Sequence, residues 1–266
     1  MKDNPIGVFD SGVGGLTVVK ELVGELPNED IIYFGDTARV PYGTKSASTV
    51  KKFSIENTLF LLKFNVKLII IACNTSSAVG LGLLQKFFSI PIIGVIKPGA
   101  KAAVRSTRNG RIGVIGTNAT ISSGAYEKEI RHLNDNIKVF GQRCPLFVPL
   151  VEEGWVKDEI AKNVASKYIS PLKKKKVDTL ILGCTHYPLL KSVIQDVMGK
   201  SVKLVDSAEE TAKEAEGLLE ECGLKTDGKR KGKLRIYVSD EPTKTSVFGE
   251  RFLGRHVDLL ERVKDV

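Results

Sequence analysis

The chain has 266 residues, of which 42% are hydrophobic and 27% charged, with a formal net charge of +9. That balance excludes a disordered or fibrous protein and provides a large core, as one big domain or two compact halves. The first residues, Met1-Lys2-Asp3-Asn4-Pro5, have no long apolar region or cleavage site after them, and the longest strongly apolar run, Leu68 to Cys73, is too short to cross a bilayer, so a cytoplasmic protein without a membrane partner is expected.

In chain order, the first strand covers Ile6 to Phe9 and leads through Asp10-Ser11-Gly12-Val13-Gly14-Gly15 into a helix over Leu16 to Leu26. The glycines suit a tight strand-to-helix turn. The segment is neither a Walker loop, lacking Gly-Lys-Ser/Thr, nor a full Gly-x-Gly-x-x-Gly, because Thr17 holds the last place. A turn alone leaves Asp10 unexplained, since it puts an acid directly after an apolar strand. A strand over Ile31 to Phe34 ends at Asp36-Thr37, and a helix spans Ser46 to Phe64. The strand Leu68 to Ala72 then meets Cys73-Asn74-Thr75 and a helix over Ser76 to Phe88. After the strand Ile92 to Ile96, Lys97-Pro98-Gly99 reads as a linker.

The pattern then restarts. A strand over Ile112 to Ile115 ends at Thr117-Asn118, followed by a helix over Ala125 to Leu133, the strand Lys138 to Phe140 and a helix over Ile160 to Leu172. The strand Thr179 to Leu182 runs into Cys184-Thr185-His186, with a helix over Leu189 to Met198 beyond. The strand Lys203 to Val205 ends at Asp206-Ser207, and the remainder reads as a helix over Ala208 to Cys222, a flexible basic loop over Thr226 to Gly232 and the strand Leu234 to Val238. Strands alternating with helices imply an α/β fold of parallel sheets with right-handed crossovers.

Local signatures recur at near-constant offsets. Ile6-Gly7-Val8-Phe9 resembles Ile112-Gly113-Val114-Ile115 and Ile32-Tyr33-Phe34-Gly35 resembles Lys138-Val139-Phe140-Gly141, each 106 residues on, while Ala72-Cys73-Asn74-Thr75 resembles Gly183-Cys184-Thr185-His186, 111 on. Two pseudo-symmetric parallel-sheet lobes follow, residues 1–96 plus 208–266 and residues 97–207, with the active site in the cleft between them.

Polar residues stand directly after six of the strands, where open α/β sheets bind ligands and helix N-termini present free N–H groups. An isolated cysteine there is most often a small buried apolar residue. Two cysteines at equivalent places in two repeats, each followed by hydroxyl or amide groups, reverse those odds. A thiol has an ordinary pKa near 8.5, and one lowered at such a site acts as a base that still returns its proton. Racemisation needs that pairing, one thiolate taking the α-proton from one face while a thiol supplies a proton to the other. Asn74, Thr75, Thr185 and backbone N–H groups are suitable donors around the α-carboxylate. His186, two residues after Cys184, is read as functional, whereas His132 and His256 are read as surface or core histidines. Cys144 and Cys222 are read as structural. No Cys-x-x-Cys or Cys-x-x-His pair suggests a metal. Lys173 to Lys176 and the Lys225 to Lys233 segment accompany no nucleic-acid fold signature, so they are read as solvated faces that at most attract an anionic small substrate.

Asp10-Ser11-Gly12-Val13-Gly14-Gly15, Asp36 with Arg39-Val40-Pro41-Tyr42-Gly43, Ala72-Cys73-Asn74-Thr75 and Gly183-Cys184-Thr185-His186-Tyr187-Pro188 together resemble the motifs of the glutamate racemases, in order and spacing, over essentially the whole chain. The resemblance implies Cys73 and Cys184 as proton donor and acceptor, Asp10 assisting Cys73, His186 assisting Cys184, and Glu152 as a further acid. It implies contacts to L- or D-glutamate from Asp10, Ser11, Pro41, Tyr42, Gly43, Asn74, Thr75, Thr120, Thr185 and His186, no cofactor and no metal, and D-glutamate supply to peptidoglycan. A homodimer is compatible with it. One departure is Ser76-Ser77 after Thr75, where a small residue such as Ala is more usual. Three other readings stay open: a racemase for aspartate or a related amino acid, a cysteine hydrolase, which leaves the second cysteine unexplained, and a two-lobed binding module, which has no use for matched thiols.

Overall fold

The computed structural model describes residues 1–240, 249–250, 252–254 and 260–263. Its strands are β1 (Ile6–Asp10), β2 (Ile31–Gly35), β3 (Leu68–Ile71), β4 (Ile92–Gly94), β5 (Arg111–Gly116), β6 (Lys138–Arg143), β7 (Thr179–Gly183), β8 (Lys203–Asp206), β9 (Leu234–Val238) and β10 (Leu260–Arg262). The helices between them are α1 (Leu16–Glu25), α2 (Ala47–Leu62), α3 (Asn74–Phe87), α4 (Ile96–Ser106), α5 (Asn118–Ser122), α6 (Ala125–Leu133), α7 (Phe147–Glu152), α8 (Glu159–Lys174), α9 (Lys191–Met198) and α10 (Ser207–Glu221).

One six-stranded sheet has the order β10-β9-β2-β1-β3-β4 and one four-stranded sheet the order β6-β5-β7-β8. Every strand pairing is parallel. The four strands β2-β1-β3-β4 and the four strands β6-β5-β7-β8 follow the same permutation, so the repeated signatures mark a repeated topology. Beyond that repeat, β9 returns to pair with β2, bringing Leu234–Val238 back to the first sheet.

Sheets covered on both faces explain why the strands read as apolar runs rather than alternating patterns. Ile6 and Val8 pack with Leu16, Val19 and Leu22 of α1 on one face. Phe9, Ile32, Phe34 and Ile69 pack with Phe60, Leu61 and Leu84 on the other. In the second sheet Ile112, Val114 and Ile181 meet Ala100, Ala103, Tyr126 and Ile130. Each fully buried side chain of this size contributes roughly 1.5–3 kcal/mol.

Two sequence readings need correction. Lys97-Pro98-Gly99 is no linker but lies within the first turn of α4, where proline is tolerated because the first N–H groups of a helix have no intrahelical partner. Gly99 fits because a Cβ there would stand 2.4 Å from Ser207 Oγ on α10. The basic loop is pinned rather than flexible: Arg230 makes two bonds to Asp30, at 2.8 and 2.7 Å, Thr226 N–H donates to Glu29 at 2.8 Å, and Gly232 N–H donates to Pro27. The Lys173 to Lys176 run is exposed at the end of α8, as a solvated face should be.

Candidate active site

In the first sheet β1 lies between β2 and β3, and in the second β5 lies between β6 and β7. The chain leaves these central strands to opposite sides, which opens a crevice at their carboxyl ends. Asp10-Ser11 stands at the end of β1, Cys73 beyond β3, Thr117 beyond β5 and Cys184 beyond β7. The two crevices meet. Ser11, Pro41, Tyr42, Gly43, Cys73, Asn74 and Thr75 from one side, and Glu152, Cys184, Thr185 and His186 from the other, line one cavity of about 40 Å³. A larger open groove of about 870 Å³ runs between β4, α4 and α10, but it has no thiol or histidine among its lining residues.

Cys73 is the N-cap of α3, and its carbonyl accepts the Ser77 N–H at 2.8 Å. Its Sγ lies 3.7 Å from Ser11 Oγ. Burial and the neighbouring Asp10 charge push the thiol up to about 12, although nearby donor groups of Ser76 and Ser11 favour the thiolate. Asp10 is itself wholly buried. One of its carboxylate oxygens accepts the Gly12 N–H at 3.1 Å and the other has no partner. Burial raises its pKa, although the His186 charge and the N–H groups of Gly12, Gly15 and Ser11 oppose the rise.

Of the glycines of the first turn, Gly14 makes room for the opposing half and Gly15 for Asp10. A Cβ on Gly14 would lie 2.3 Å from Thr185 Oγ1 and 2.6 Å from His186 Nδ1, and one on Gly15 would lie 2.6 Å from Asp10 Cβ. The chain can approach so closely only without side chains there.

Cys184 has a different setting. Its Sγ is 3.9 Å from His186 Nδ1, and His186 Nε2 is 3.2 Å from Glu152 Oε1. Burial opposes a charge on this imidazole, yet the bonds to Cys184 and Glu152 outweigh it and hold the pKa up to about 10. The equivalence of the two cysteines is therefore incomplete. Cys73 caps a full α-helix, whereas Cys184 precedes a short 3-10 turn at Tyr187–Leu190, with α9 starting only afterwards. A histidine and a carboxylate stand where the first thiol has a helix N-terminus.

A hydroxyl triangle joins the halves behind the cavity: Thr75 Oγ1 lies 3.0 Å from Thr117 Oγ1 and 3.2 Å from Thr120 Oγ1, which are themselves 3.0 Å apart. Tyr126 donates to Asn74 Oδ1 at 2.7 Å across the same boundary. Tyr42 donates its hydroxyl to Asp36 and accepts from Asn57 Nδ2 at 3.1 Å, so its ring and backbone, not its hydroxyl, face the cavity.

Comparison with known proteins places this arrangement. Residues 6–215 match the family model described as Asp/Glu/Hydantoin racemase. The chain belongs to that racemase family. A glutamate racemase of Geobacter metallireducens is 54% identical over 94% of this chain and 92% of its own. The crystal structure of a glutamate racemase from Francisella tularensis in complex with D-glutamate superposes with a TM-score of 0.94, at 45% identity over 99% of this chain and 98% of that one. A Bacillus anthracis glutamate racemase gives 0.96 at 42% identity over the same shares. The α/β class and the paired parallel-sheet lobes are those of these racemases.

Of the residues singled out from sequence in this racemase-family chain, Asp10 and Thr120 do not line the cavity. Asp10 is fully buried and Thr120 is 1% exposed, behind Cys73 and Thr75 respectively. Gly12, Val40, Thr117 and Val148 do line it and were not among the expected contacts. Thr117 carries the strand-end signal; the other three offer no polar group that sequence could flag. All four cysteines are free, Cys144 buried and Cys222 exposed. His132 is exposed, and His256 lies outside the described residues. Among the described residues no cluster suited to a metal ion is present, and no helix is long and apolar enough to cross a membrane.

Proposed function

We propose that this chain is a glutamate racemase in which Cys73 and Cys184 act on opposite faces of the α-carbon, without a cofactor. The observation carrying this reading is the opening of two thiols, one from each sheet, into a single cavity. For D-glutamate, the Cys73 thiolate takes the α-proton and the Cys184 thiol delivers one to the other face; for L-glutamate the roles reverse. Each turnover leaves the thiols in the state that the opposite enantiomer requires. Asp10 assists Cys73, while His186 and Glu152 assist Cys184. Ser11, Pro41, Tyr42, Gly43, Asn74, Thr75, Thr185 and His186 surround the substrate, with Asp10 and Thr120 behind them. An imidazolium at His186 offsets carboxylate charge, and the developing carbanion is stabilised by fixed donors in a site closed to water.

A cavity of about 40 Å³ accommodates a water or two. Glutamate is larger than this, so the cavity must widen to admit the substrate. The likeness to glutamate racemases supports glutamate over aspartate as substrate, and supply of D-glutamate to peptidoglycan in the cytoplasm as the role.

Separate replacement of Cys73 and Cys184 by Ala tests the mechanism. Each variant is expected to lose racemisation by at least a thousandfold yet retain one base. Elimination of chloride from the two enantiomers of threo-3-chloroglutamate needs only that base. The Cys184→Ala variant should favour the D analogue and Cys73→Ala the L analogue. Identical preferences, or full racemisation by either variant, would refute the two-thiol reading.

A further inference from the structure

Other buried hydroxyls on the described helices find partners. Ser54 donates to Val50 O at 2.8 Å, Thr58 to Ser54 O at 2.8 Å and Thr211 to Ser207 O at 2.6 Å, each one turn back. Ser77 donates to Ile71 O at 2.9 Å. Ser76 differs. It is wholly buried, and its Oγ has no hydrogen-bond partner. An orphaned hydroxyl in the interior costs about 1–3 kcal/mol, so alanine would be the more stable residue there.

The position explains what the hydroxyl is for. Cys73 is the N-cap of α3, which makes Ser76 the third helical residue. That residue's N–H faces the N-cap residue, and its own side chain can turn back toward that residue. The N-cap side chain here is a sulfur that the reaction requires in two charge states. A thiol asks little of Ser76, whereas a thiolate is a strong acceptor.

We propose that Ser76 is a positioning residue for Cys73, its buried hydroxyl donating to the sulfur when that sulfur is a thiolate and so favouring the basic form of this thiol alone. The inference rests on the two-thiol reading above. Ser76 N–H and Oγ both oppose the burial that pushes the Cys73 thiol up. Cys184 has no counterpart: the residue three positions on is Tyr187, which donates its hydroxyl to Cys144 O at 2.9 Å.

Ser76→Ala and Ser76→Thr in the full-length protein test this, and a thermal melt confirms that each folds. The first readout is the rate of Cys73 alkylation by iodoacetamide at about pH 8, followed on the Cys73 peptide by mass spectrometry. Without the donor the rate should fall several-fold, since a thiol pKa higher by about one unit, the low end for a hydrogen bond to a charged group, cuts the thiolate fraction about tenfold and only partly offsets this in nucleophilicity. Ser76→Thr should keep the unmodified rate. The second is elimination from each threo-3-chloroglutamate enantiomer, an irreversible step free of the equilibrium that ties the two racemisation directions together. In Ser76→Ala the ascending, low-pH limb should move to higher pH for the D analogue and stay in place for the L analogue. An unchanged alkylation rate, or equal shifts for both enantiomers, would overturn the role of Ser76. Absence of elimination from either enantiomer by the unmodified enzyme would instead refute the two-thiol reading, and alkylation would still decide for or against Ser76.

Discussion

Asp10 joins chemistry to stability. Its folded pKa is raised, so between the unfolded and folded values the native state binds more protons than the unfolded one. Stability then falls as pH rises through that window, and above it the charged carboxylate is a standing penalty. Asp10→Asn removes the charge and keeps the shape. At pH 7 this variant is expected to unfold at higher urea than the unmodified protein, with the advantage shrinking below about pH 4, while racemisation falls. Urea midpoints at pH 4 and 7 measure this; a variant less stable than its parent at pH 7 would show that Asp10 is held by contacts rather than merely tolerated. Such a stability penalty at a site residue is a common mark of function.

The elements fix the site by where they end. Glu29, before β2, and Lys67, before β3, form an ion pair at 2.5 Å with side chains 3% and 1% exposed. Lys67 also donates to the carbonyl of Lys2, and Glu29 accepts the Thr226 N–H at 2.8 Å. The network ties the amino-terminal ends of the strands at the face opposite the cavity. Lys67→Met leaves a carboxylate buried without its cation, and a loss of about 3–5 kcal/mol is expected from urea unfolding. A loss below about 1 kcal/mol would mean that the pair is solvated in solution. Nine of the ten described strands, all but β10, and most helices were legible because both sheets are covered on two faces and their apolar runs are continuous. The short helices α5 and α7, of 5 and 6 residues, were not, since neither completes two turns. α4 was hidden by Pro98 and Gly99, read as breakers where the position in the first turn makes them harmless. Among site residues, Cys73, Cys184 and His186 were legible from strand ends and repetition, and Glu152 only through family likeness. Val40 and Val148 act by shape, which requires the fold. The unequal settings of the cysteines were hidden because an α-helix and a 3-10 turn begin with similar polar residues.

At the scale of the whole molecule, the repeated topology fits the proposed two-base racemisation. A single α/β sheet offers one crevice and so reaches one face of a ligand. Two sheets that share a four-strand order, with their crevices meeting at one cavity, place one thiol from each sheet at that cavity. The settings of the two thiols differ, one standing at a helix N-terminus and the other beside His186 and Glu152. The most direct test is to incubate the purified protein with L-glutamate in deuterated water, without added cofactor. Early in the reaction, the deuterium content of each enantiomer is measured by chiral separation and mass spectrometry. Two distinct bases should give D-glutamate carrying an α-deuterium while the remaining L-glutamate stays largely protiated, because the proton removed from one face is not the one delivered to the other. L-Glutamate recovered with its α-hydrogen intact and no D-glutamate formed, or deuterium appearing equally fast in both enantiomers from the outset, would contradict this.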